Sequence, residues 1–406
     1  MQRSKASYLT NLLLLIVGGE AIFFLPFVIP RIFRPTVLQS FDLSNTELGF
    51  AFSVYGIVGI LSYFLGGLIA DRFPAKYLMS ISLCSTGLLG LWMSFIPSFN
   101  EILIIYGCWG ISTVLLFWSP LIRTTRILGG DSSQGKTFGG LESGRGLVSA
   151  LLGTTILFYF TSDTIVAGDS MMDSTYRYTA FFVILMGFLL LFFLKVDGQS
   201  KSEKFDTAIF YRLIKMRALW QQTLFVLCAY VAYKCTDDLS LYAYDVLKYD
   251  DGKAALVGTY ALWLRPVAAL AIGLLADYLS VRLMSIICFI LASCGSVFLY
   301  ILNFESIPVF FFLNLTVMAI GIYAMRGLYF AIMNEGGLPV SATGMAVGII
   351  SVLGFTPDVF MGPIMGYFLD SFPGILGHQY LFGFCSILSL IGLINLIFYP
   401  QNKEPN

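Results

Sequence analysis

The chain has 406 residues, of which 57% are hydrophobic and only 12% are charged, and its formal net charge is zero. This composition is typical of an integral membrane protein whose main partner is the lipid bilayer. A chain without net charge has no overall field that would attract nucleic acid, so no nucleic-acid partner is expected. The seven cysteines lie in apolar stretches without CxxC spacing, and we expect no disulfides, no metal and no cofactor.

Twelve mostly apolar stretches follow one another along the chain, each close to the length of about 20 residues that a helix needs to cross a bilayer. The sequence therefore predicts an all-α integral membrane protein with twelve transmembrane helices. The stretches run approximately over Tyr8 to Ile32, Thr46 to Ala70, Tyr77 to Ile96, Glu101 to Ile122, Phe138 to Phe160, Tyr178 to Leu194, Leu219 to Tyr244, Ala254 to Ala276, Leu283 to Leu302, Ile307 to Met333, Thr343 to Leu369 and Tyr380 to Tyr399.

Basic residues are concentrated on one side of these predicted spans, and that side should be cytoplasmic because cytoplasmic loops retain Lys and Arg. Both termini are then cytoplasmic, in a plasma membrane or, for a bacterial protein, in the inner membrane. The longest polar stretch indicates a cytoplasmic linker at residues 196–217. It separates an N-terminal six-helix bundle, residues 1–195, from a C-terminal six-helix bundle, residues 218–406.

The most specific sequence feature is a repeated element at the cytoplasmic ends of the second and eighth spans. Gly-Leu-Ile-Ala-Asp, ending at Asp71, recurs 206 residues later as Gly-Leu-Leu-Ala-Asp, ending at Asp277. This element resembles the major facilitator superfamily signature Gly-x-Leu-Ala-Asp-Arg-x-Gly-Arg-Lys. The first copy departs from it at Pro74 and Ala75, and the second copy is more degenerate.

The resemblance implies two pseudo-symmetric six-helix bundles that alternately expose a central site to each side of the membrane. It also implies that the repeated carboxylates act in gating rather than in substrate binding. The predicted gating residues are Asp71, Arg72, Arg123, Arg126, Asp277 and Arg326. In this family the third helix of each three-helix unit faces lipid, and the interiors of spans three, six, nine and twelve contain no charged residue.

Two features of the family's drug–proton antiporters are missing. Tyr106 lies four residues before Gly110, where an arginine motif of helix four would be expected, and helix five has no Gly-Pro motif. Their absence argues against an ordinary drug–proton antiporter.

Ionisable residues inside the spans are the candidates for function, because charge in hydrocarbon is costly and is retained for a reason. Glu20 lies near the middle of the first span and is a candidate for substrate binding and proton coupling. Its alternative is a permanent ion pair with a cation. Arg31 follows three helical turns later, and Glu20, Phe24, Phe27 and Arg31 should share one face.

The seventh span adds Lys234 and Asp237 as binding candidates, and Asp237 is also a candidate for proton coupling. The repeat offset of 206 residues places Asp237 opposite Arg31. Lys234 could instead pair within its own helix with Asp237 or Asp238, so a structural pair and a binding site both remain open.

Three further spans carry buried charges. Arg265 in the eighth span is a binding candidate that needs a partner, either Glu142 or a substrate anion. Glu142 and Arg145 lie at i and i+3 and are expected to pair with each other. Asp358, which follows Pro357, is a second proton-coupling candidate. His378, the only histidine, lies in a polar stretch, which favours a loop residue over a metal ligand or a proton relay.

These features predict a non-enzymatic secondary active transporter of a small organic solute. We expect an organic anion, carried with proton coupling or in exchange for another anion, because Arg31 and Lys234 resemble the substrate-binding basic residues of organic-anion members of the family. A sugar, amino-acid or drug transporter of the same fold and a non-transporting solute receptor are the alternatives. The protein is expected to act as a monomer.

Overall fold

The computed structural model describes residues 5–129, 134–161, 171–196, 207–275, 279–333, 335–338 and 343–400, and these residues contain no β-strand. They form eighteen α-helices, two π-helical segments and two 3₁₀ turns. The α-helices are α1 Lys5–Phe23, α2 Ile29–Ile32, α3 Arg34–Ser40, α4 Asn45–Arg72, α5 Ala75–Met93, α6 Phe99–Gly110, α7 Ser119–Gly129, α8 Gln134–Thr161, α9 Met171–Phe193, α10 Thr207–Ile214, α11 Arg217–Cys235, α12 Leu239–Asp245, α13 Asp251–Leu275, α14 Val281–Ile301, α15 Pro308–Leu328, α16 Thr343–Gly354, α17 Pro357–Ser371 and α18 Ile375–Ile397. Helices satisfy their own backbone polar groups, as a bilayer requires, and the all-α prediction is confirmed.

Eight helical stretches in the described part of the chain are long and apolar enough to cross a membrane. They are Ser7–Ile32, Asn45–Tyr63, Phe99–Gly129, Met171–Phe193, Val281–Ile301, Pro308–Leu328, Met345–Ser371 and Ile375–Ile397. The other predicted spans coincide with α5, α8, α11 together with α12, and α13, which are helical but are not among these eight. The chain is a multi-pass membrane protein, and the count of twelve stays a prediction.

The four spans predicted to be free of charge correspond to α5, α9, α14 and α18. Each of these helices exposes large apolar side chains. In α9 they are Tyr178, Phe181, Leu185, Phe188 and Phe192, whose three- and four-residue spacing places them on one face. Such a face is suited to contact with lipid, as the sequence predicted.

The buried apolar side chains form two clusters. One is built from residues 15–194 with Ala255 and Leu262 added from later in the chain, and the other from residues 213–399. We call residues 5–196 the N-terminal half and residues 207–400 the C-terminal half. Of the predicted linker at residues 196–217, residues 197–206 lie outside the described residues and 207–214 form α10. The exact linker and bundle boundaries stay predictions.

The first span widens into a π-helical segment, Phe24–Val28, between α1 and α2. Pro26 lies inside it and has no N–H to donate, which breaks the regular α-helical ladder. The carbonyl of Pro26 accepts a hydrogen bond from the hydroxyl of the fully buried Tyr106, at 3.0 Å. The tyrosine at the position where the family has arginine is therefore part of the N-terminal core.

The two halves touch at the end of the molecule that lies away from Lys5 and Tyr399, and we call this the closed end. There the Gln39 side-chain amide donates to the Tyr244 hydroxyl at 3.1 Å, and the Thr36 hydroxyl donates to Asp251 at 3.2 Å. At the opposite, open end, a Cβ added to Gly139, Gly327 or Gly348 would meet no atom of the described residues within 4 Å. Among the described residues, the close contacts between the halves are therefore concentrated towards the closed end.

Two helices from different halves, α4 and α17, make the closest contact at the closed end. A Cβ added to Gly49 would lie 2.5 Å from the carbonyl carbon of Gly362, and one added to Gly56 would lie 2.6 Å from the carbonyl oxygen of Asp358. Real Cβ atoms do not approach backbone so closely. The absence of side chains at Gly49 and Gly56 is therefore what permits this approach.

A carboxylate of the C-terminal half caps a helix of the N-terminal half at the same end. Asp370 accepts hydrogen bonds from the backbone N–H groups of Asn45 at 3.1 Å and Thr46 at 2.7 Å, the first two residues of α4. The buried Arg34 donates to the Asn45 side-chain oxygen at 3.0 Å. Unpaired N–H groups and the helix dipole favour an anion at this position, so Asp370 stabilises the contact between the halves.

Candidate functional site

A cavity of about 110 Å³ lies between the two halves. It is lined by side chains of the first span, α4, α8 and the second π-helical segment, Ile111–Trp118, from the N-terminal half, and of α11, α13, α15 and α17 from the C-terminal half. Five of the six residues predicted for substrate binding or proton coupling line it: Glu20, Arg31, Lys234, Arg265 and Asp358. Asp237 contacts two of them. The structure thus brings together all the residues predicted for substrate binding and proton coupling.

One face of the first span projects into this cavity, but one of its residues differs from those predicted to share that face. Phe23 and Phe27 line the cavity together with Glu20 and Arg31, whereas Phe24 is fully buried in the N-terminal core. The prediction of Phe24 was wrong, because the helix leaves regular α geometry at that residue and the π-helical turn alters the angular spacing.

The first ion-pair cluster joins the halves around Asp237. Arg31 Nε lies 2.5 Å from Asp237 Oδ1, so the two residues that the repeat offset placed opposite each other form an ion pair. Arg31 Nη1 also donates to the Tyr233 hydroxyl at 2.8 Å. Lys234 Nζ lies 3.4 Å from both Asp237 Oδ2 and Asp358 Oδ1. Lys234 therefore bridges two carboxylates, one of them on its own helical segment and one on α17.

Aromatic side chains surround the same cluster. The Tyr230 hydroxyl donates to Asp358 at 2.9 Å, and the Lys234 ammonium lies 4.8 Å from the ring centre of Phe27 and 5.2 Å from that of Phe52. Such cation–π contacts partly replace the water that an ammonium group loses on burial.

The second cluster is centred on Glu20 and also crosses between the halves. Glu20 lies 3.0 Å from Arg265 Nη1 and 3.4 Å from Arg145 Nε. Arg145 pairs with Glu142 at 2.6 Å, as predicted, and Arg265 lies 3.8 Å from Glu142. Glu20 therefore has cationic partners from both halves in this conformation, which is the structural alternative that the sequence left open.

Arg326, which the sequence analysis assigned to gating, also lines the cavity. It was predicted to pair with Asp277 in gating, and because Asp277 lies outside the described residues that contact stays a prediction. The structure places the Arg326 guanidinium at the cavity, 4.1 Å from the ring centre of Tyr233. No carboxylate of the described residues lies within ion-pair distance of it, and Glu142 acts on it electrostatically from farther away. The cationic side chains at the cavity are thus Arg31, Arg145, Lys234, Arg265 and Arg326. The carboxylates that form ion pairs with this group are Glu20, Glu142, Asp237 and Asp358. One positive charge remains without a carboxylate among these residues.

Three of the remaining gating candidates, Arg72, Arg123 and Arg126, do not line the cavity. Arg72 and Arg126 are exposed and Arg123 is half-buried. The side chain of Asp71 and the whole of Asp277 lie outside what the structure describes, so the gating assignment stays a prediction.

His378 was predicted to be a loop residue, and this was wrong. It lies inside α18 and is 1% exposed. Its ring contacts two carboxylates of the C-terminal half that are distant in sequence, Asp238 and Asp245. The local Gly-His-Gln sequence gives no sign of these contacts.

Comparison with known proteins identifies relatives over almost the whole chain. A family model described as Major Facilitator Superfamily matches residues 16–354. The inner membrane protein YihN of Escherichia coli strain K12 is 27% identical over 401 residues, covering 94% of this chain and 92% of the relative. YqcE of the same strain, also an inner membrane protein, is 27% identical over 381 residues, covering 90% of this chain and 89% of the relative.

Solved structures with the same fold are more distant in sequence. A bacterial homologue of the human lysosomal transporter Spinster, inward-facing and unoccupied, has a TM-score of 0.75 with 13% identity, covering 99% of this chain and 100% of the other. The nucleoside transporter NupG has a TM-score of 0.73 with 12% identity, covering 96% of this chain and 99% of the other. At this identity the likeness concerns the fold alone.

Proposed function

The chain belongs to the major facilitator superfamily, and on that premise we propose that it is a secondary active transporter of a small organic anion. The observation that carries the proposal is the imbalance of charge at the cavity, where Arg326 has no carboxylate partner among the described residues. Arg326 is half-buried in the cavity wall, and an anionic substrate would pair with this partly desolvated charge. We propose that Arg326 and Arg265 bind the anionic group of the substrate, with Tyr233 beside it.

The arrangement around Glu20 supports coupling to a second ion. Arg265 is engaged by Glu20 in this conformation, so an incoming anion must compete with that carboxylate for the guanidinium. A proton that neutralises Glu20 would release Arg265 to the substrate. An anion leaving in exchange would achieve the same result, so proton coupling and anion exchange both belong to this proposal. Asp237 and Asp358, which share Lys234, are further proton-coupling candidates.

The contacts between the halves support alternating access. The closed end is held by packing of α4 against α17 and by Asp370, while the halves separate at the open end. If the termini are cytoplasmic, as the basic residues predict, this conformation faces the cytoplasm. Opening the closed end would require breaking Arg31–Asp237 and Arg265–Glu20, because each pair joins one half to the other.

A neutral, hydroxyl-rich solute such as a sugar is the second candidate. It is favoured by the internal pairing of Arg31, Arg145, Lys234 and Arg265, which leaves most of the cavity charge neutralised before any substrate arrives. Tyr230, Tyr233 and Trp118 would then supply hydrogen bonds and stacking faces.

Ligand screening followed by transport assays separates these candidates. Purified protein is tested for thermal stabilisation by libraries of organic anions, sugars and amino acids at two pH values, and each hit is tested for uptake into proteoliposomes with and without a proton gradient. We expect anions to stabilise the protein and Arg326→Gln to weaken their binding by roughly 10- to 150-fold, the equivalent of a charge-assisted hydrogen bond worth about 1.5–3 kcal/mol.

The matched control is Arg212→Gln, which removes an exposed guanidinium from α10, away from the cavity. It should leave anion binding unchanged. Stabilisation by neutral solutes alone, or equal effects of the two substitutions, would reject the organic-anion proposal, and binding without transport of any hit would favour a solute receptor.

A further inference from the structure

A buried histidine lies between two carboxylates of the C-terminal half, outside the substrate cavity. His378 Nδ1 lies 2.7 Å from Asp238 Oδ2, and Nε2 lies 3.2 Å from Asp245 Oδ2. The His378 side chain is 1% exposed and that of Asp238 is fully buried. These three residues, which we call the histidine cluster, come from α18, the 3₁₀ turn Thr236–Asp238 and α12.

The hydrogen-bond geometry of the histidine cluster requires a proton beyond those of a neutral imidazole. A neutral imidazole has one N–H and one nitrogen lone pair, and an ionised carboxylate can only accept. Both ring nitrogens of His378 lie against carboxylate oxygens. If the ring is neutral and both carboxylates are ionised, the nitrogen without a proton directs its lone pair at an oxygen lone pair. One more proton, on the ring or on a carboxylate, removes this repulsion. Asp238 Oδ2 contacts His378, and Asp238 Oδ1 has no hydrogen-bond partner among the described residues, so the buried carboxylate depends on His378 for compensation.

The other groups around the cluster are few. The Tyr242 ring lies 5.3 Å from the His378 ring, edge to face, and Phe382 and Phe311 pack against Tyr242. The Cys235 thiol of α11 and the buried guanidinium of Arg34 in the other half are the further polar neighbours of Asp238. The Lys248 ammonium donates to the backbone carbonyl of Asp245 at 2.6 Å, so a second cation lies on the solvent side of the cluster. The two carboxylates in direct contact with the ring favour retention of a proton on it.

The cluster connects solvent to the cavity. Asp245 ends α12 at the closed end and its side chain is 34% exposed, whereas Asp238 is fully buried. Asp238 immediately follows Asp237, which pairs with Arg31 and Lys234 at the cavity. The order from solvent inwards is therefore Asp245, His378, Asp238 and then the backbone turn that carries Asp237.

We propose that His378, Asp238 and Asp245 form a proton-binding site, loaded from the closed end, whose occupancy holds the Thr236–Asp238 turn in the conformation that presents Asp237 to Arg31. A proton from solvent reaches the ring Nε2 by way of the Asp245 carboxylate and leaves by the same route, and no electrons are transferred. Loss of the proton leaves a neutral ring with a single N–H, so one of the two carboxylates then faces a nitrogen lone pair. The fully buried Asp238 also loses the positive charge beside it, which weakens its contact with the ring. Because Asp237 and Asp238 share one short turn, the Arg31–Asp237 pair between the halves is loosened as well.

This inference deepens the proposed function, on which its link to transport rests, by naming a proton site separate from Glu20. The proton-binding site itself is testable without a transported solute, so it can fail independently of the organic-anion proposal.

The direct test is nuclear magnetic resonance of the single histidine. Protein labelled with ¹⁵N in histidine alone and purified through a histidine-free tag gives one imidazole signal pair, that of His378. At about pH 7.5, above the pKa of about 6.5 of an ordinary histidine, we expect both ring nitrogens to carry protons. Asp245→Asn should abolish the second N–H signal, since a carboxamide can donate to Nε2 and satisfies a neutral ring. Asp250→Asn, an exposed change at the same end, is the control and should retain it.

Hydrogen exchange of backbone amides 236–247 tests the link to the turn. We expect these amides to lose protection, after correction for the intrinsic effect of pH, at the pH where the wild-type ring loses its second proton. A wild-type ring that is neutral at about pH 7.5 and unaffected by Asp245→Asn would overturn the proton site. Unchanged protection of residues 236–247 when the ring loses its proton would overturn the link to Asp237.

Discussion

Replacing Gly49 with alanine should open the closed end of the molecule. The new Cβ would lie 2.5 Å from the carbonyl carbon of Gly362, roughly 1 Å inside the ordinary contact range, so α4 and α17 must move apart. Overpacking of this kind costs about 1–3 kcal/mol. Because the clash exists only while the closed end is closed, that cost shifts the conformational equilibrium by roughly 5- to 150-fold towards opening at this end.

The matched control for this change is Gly348→Ala in α16, where a Cβ meets no described atom within 4 Å. Both substitutions gain the same helix propensity, about 1 kcal/mol, so the difference between the two variants isolates the clash. Residues 39 and 244 face each other across the closed end. The distance between spin labels at these two positions, measured by pulsed electron paramagnetic resonance, reports whether that end opens. Labels should be attached through non-natural amino acids, because the chain has seven cysteines.

We expect Gly49→Ala to broaden or lengthen the measured distance distribution and Gly348→Ala to leave it as in the wild type. Identical distributions in the two variants would refute the assignment of the α4–α17 contact as the element that holds the closed end shut.

Three further predictions concern single side chains. Glu20→Gln should abolish substrate accumulation driven by a proton gradient but spare substrate exchange, because a carboxamide fills the same place beside Arg265 without carrying the proton. The control is Glu305→Gln, a change of an exposed carboxylate. Equal substrate accumulation by the two variants would remove Glu20 from the proton pathway. Asp237→Asn should lower the free energy of unfolding by about 3–5 kcal/mol, because Arg31 loses its carboxylate partner. Adding Arg31→Met to this variant should restore part of the lost stability, as measured by thermal melting. Additive losses in the double variant would show that the two residues are not coupled. Asp370→Ala should lower the free energy of unfolding by about 0.5–2 kcal/mol and open the closed end. The control Asp250→Ala removes a cap from α13 within one half, and it should lower stability without changing the distance between positions 39 and 244. Equal distances in both variants would contradict the capping role of Asp370.

The sequence predicted those features that follow from local pattern and repetition. Apolar stretches of membrane length identified the helices, because the bilayer imposes both the length and the apolarity. The repeat offset placed Arg31 opposite Asp237 because equivalent helices of the two halves meet around a pseudo-two-fold axis. The i, i+3 spacing identified the Glu142–Arg145 pair.

The features that the sequence missed depend on contacts between distant segments or on local departures from regular geometry. The partners of His378 lie 140 and 133 residues away, and nothing beside it in the chain distinguishes it from a loop residue. Phe23 faces the cavity instead of Phe24 because of a π-helical turn that the apolar pattern does not reveal. Gly49 and Gly362 are isolated glycines whose meaning appears only when two helices from different halves cross.

The placement of Arg31 has a consequence for how the protein is assembled in the membrane. Its described partners through the side chain, Tyr233 and Asp237, both come from the C-terminal half, whereas Glu20 already finds Arg145 within the N-terminal half. When the ribosome has released the first six spans, Arg31 has neither of these partners, and because it is the second-last residue of its span its guanidinium stays hydrated near the membrane surface. Insertion of α11 and the turn after it supplies both partners, which favours docking of the second half onto the first during synthesis. The polypeptide would be most exposed to quality-control proteases in the interval before residue 237 enters the bilayer.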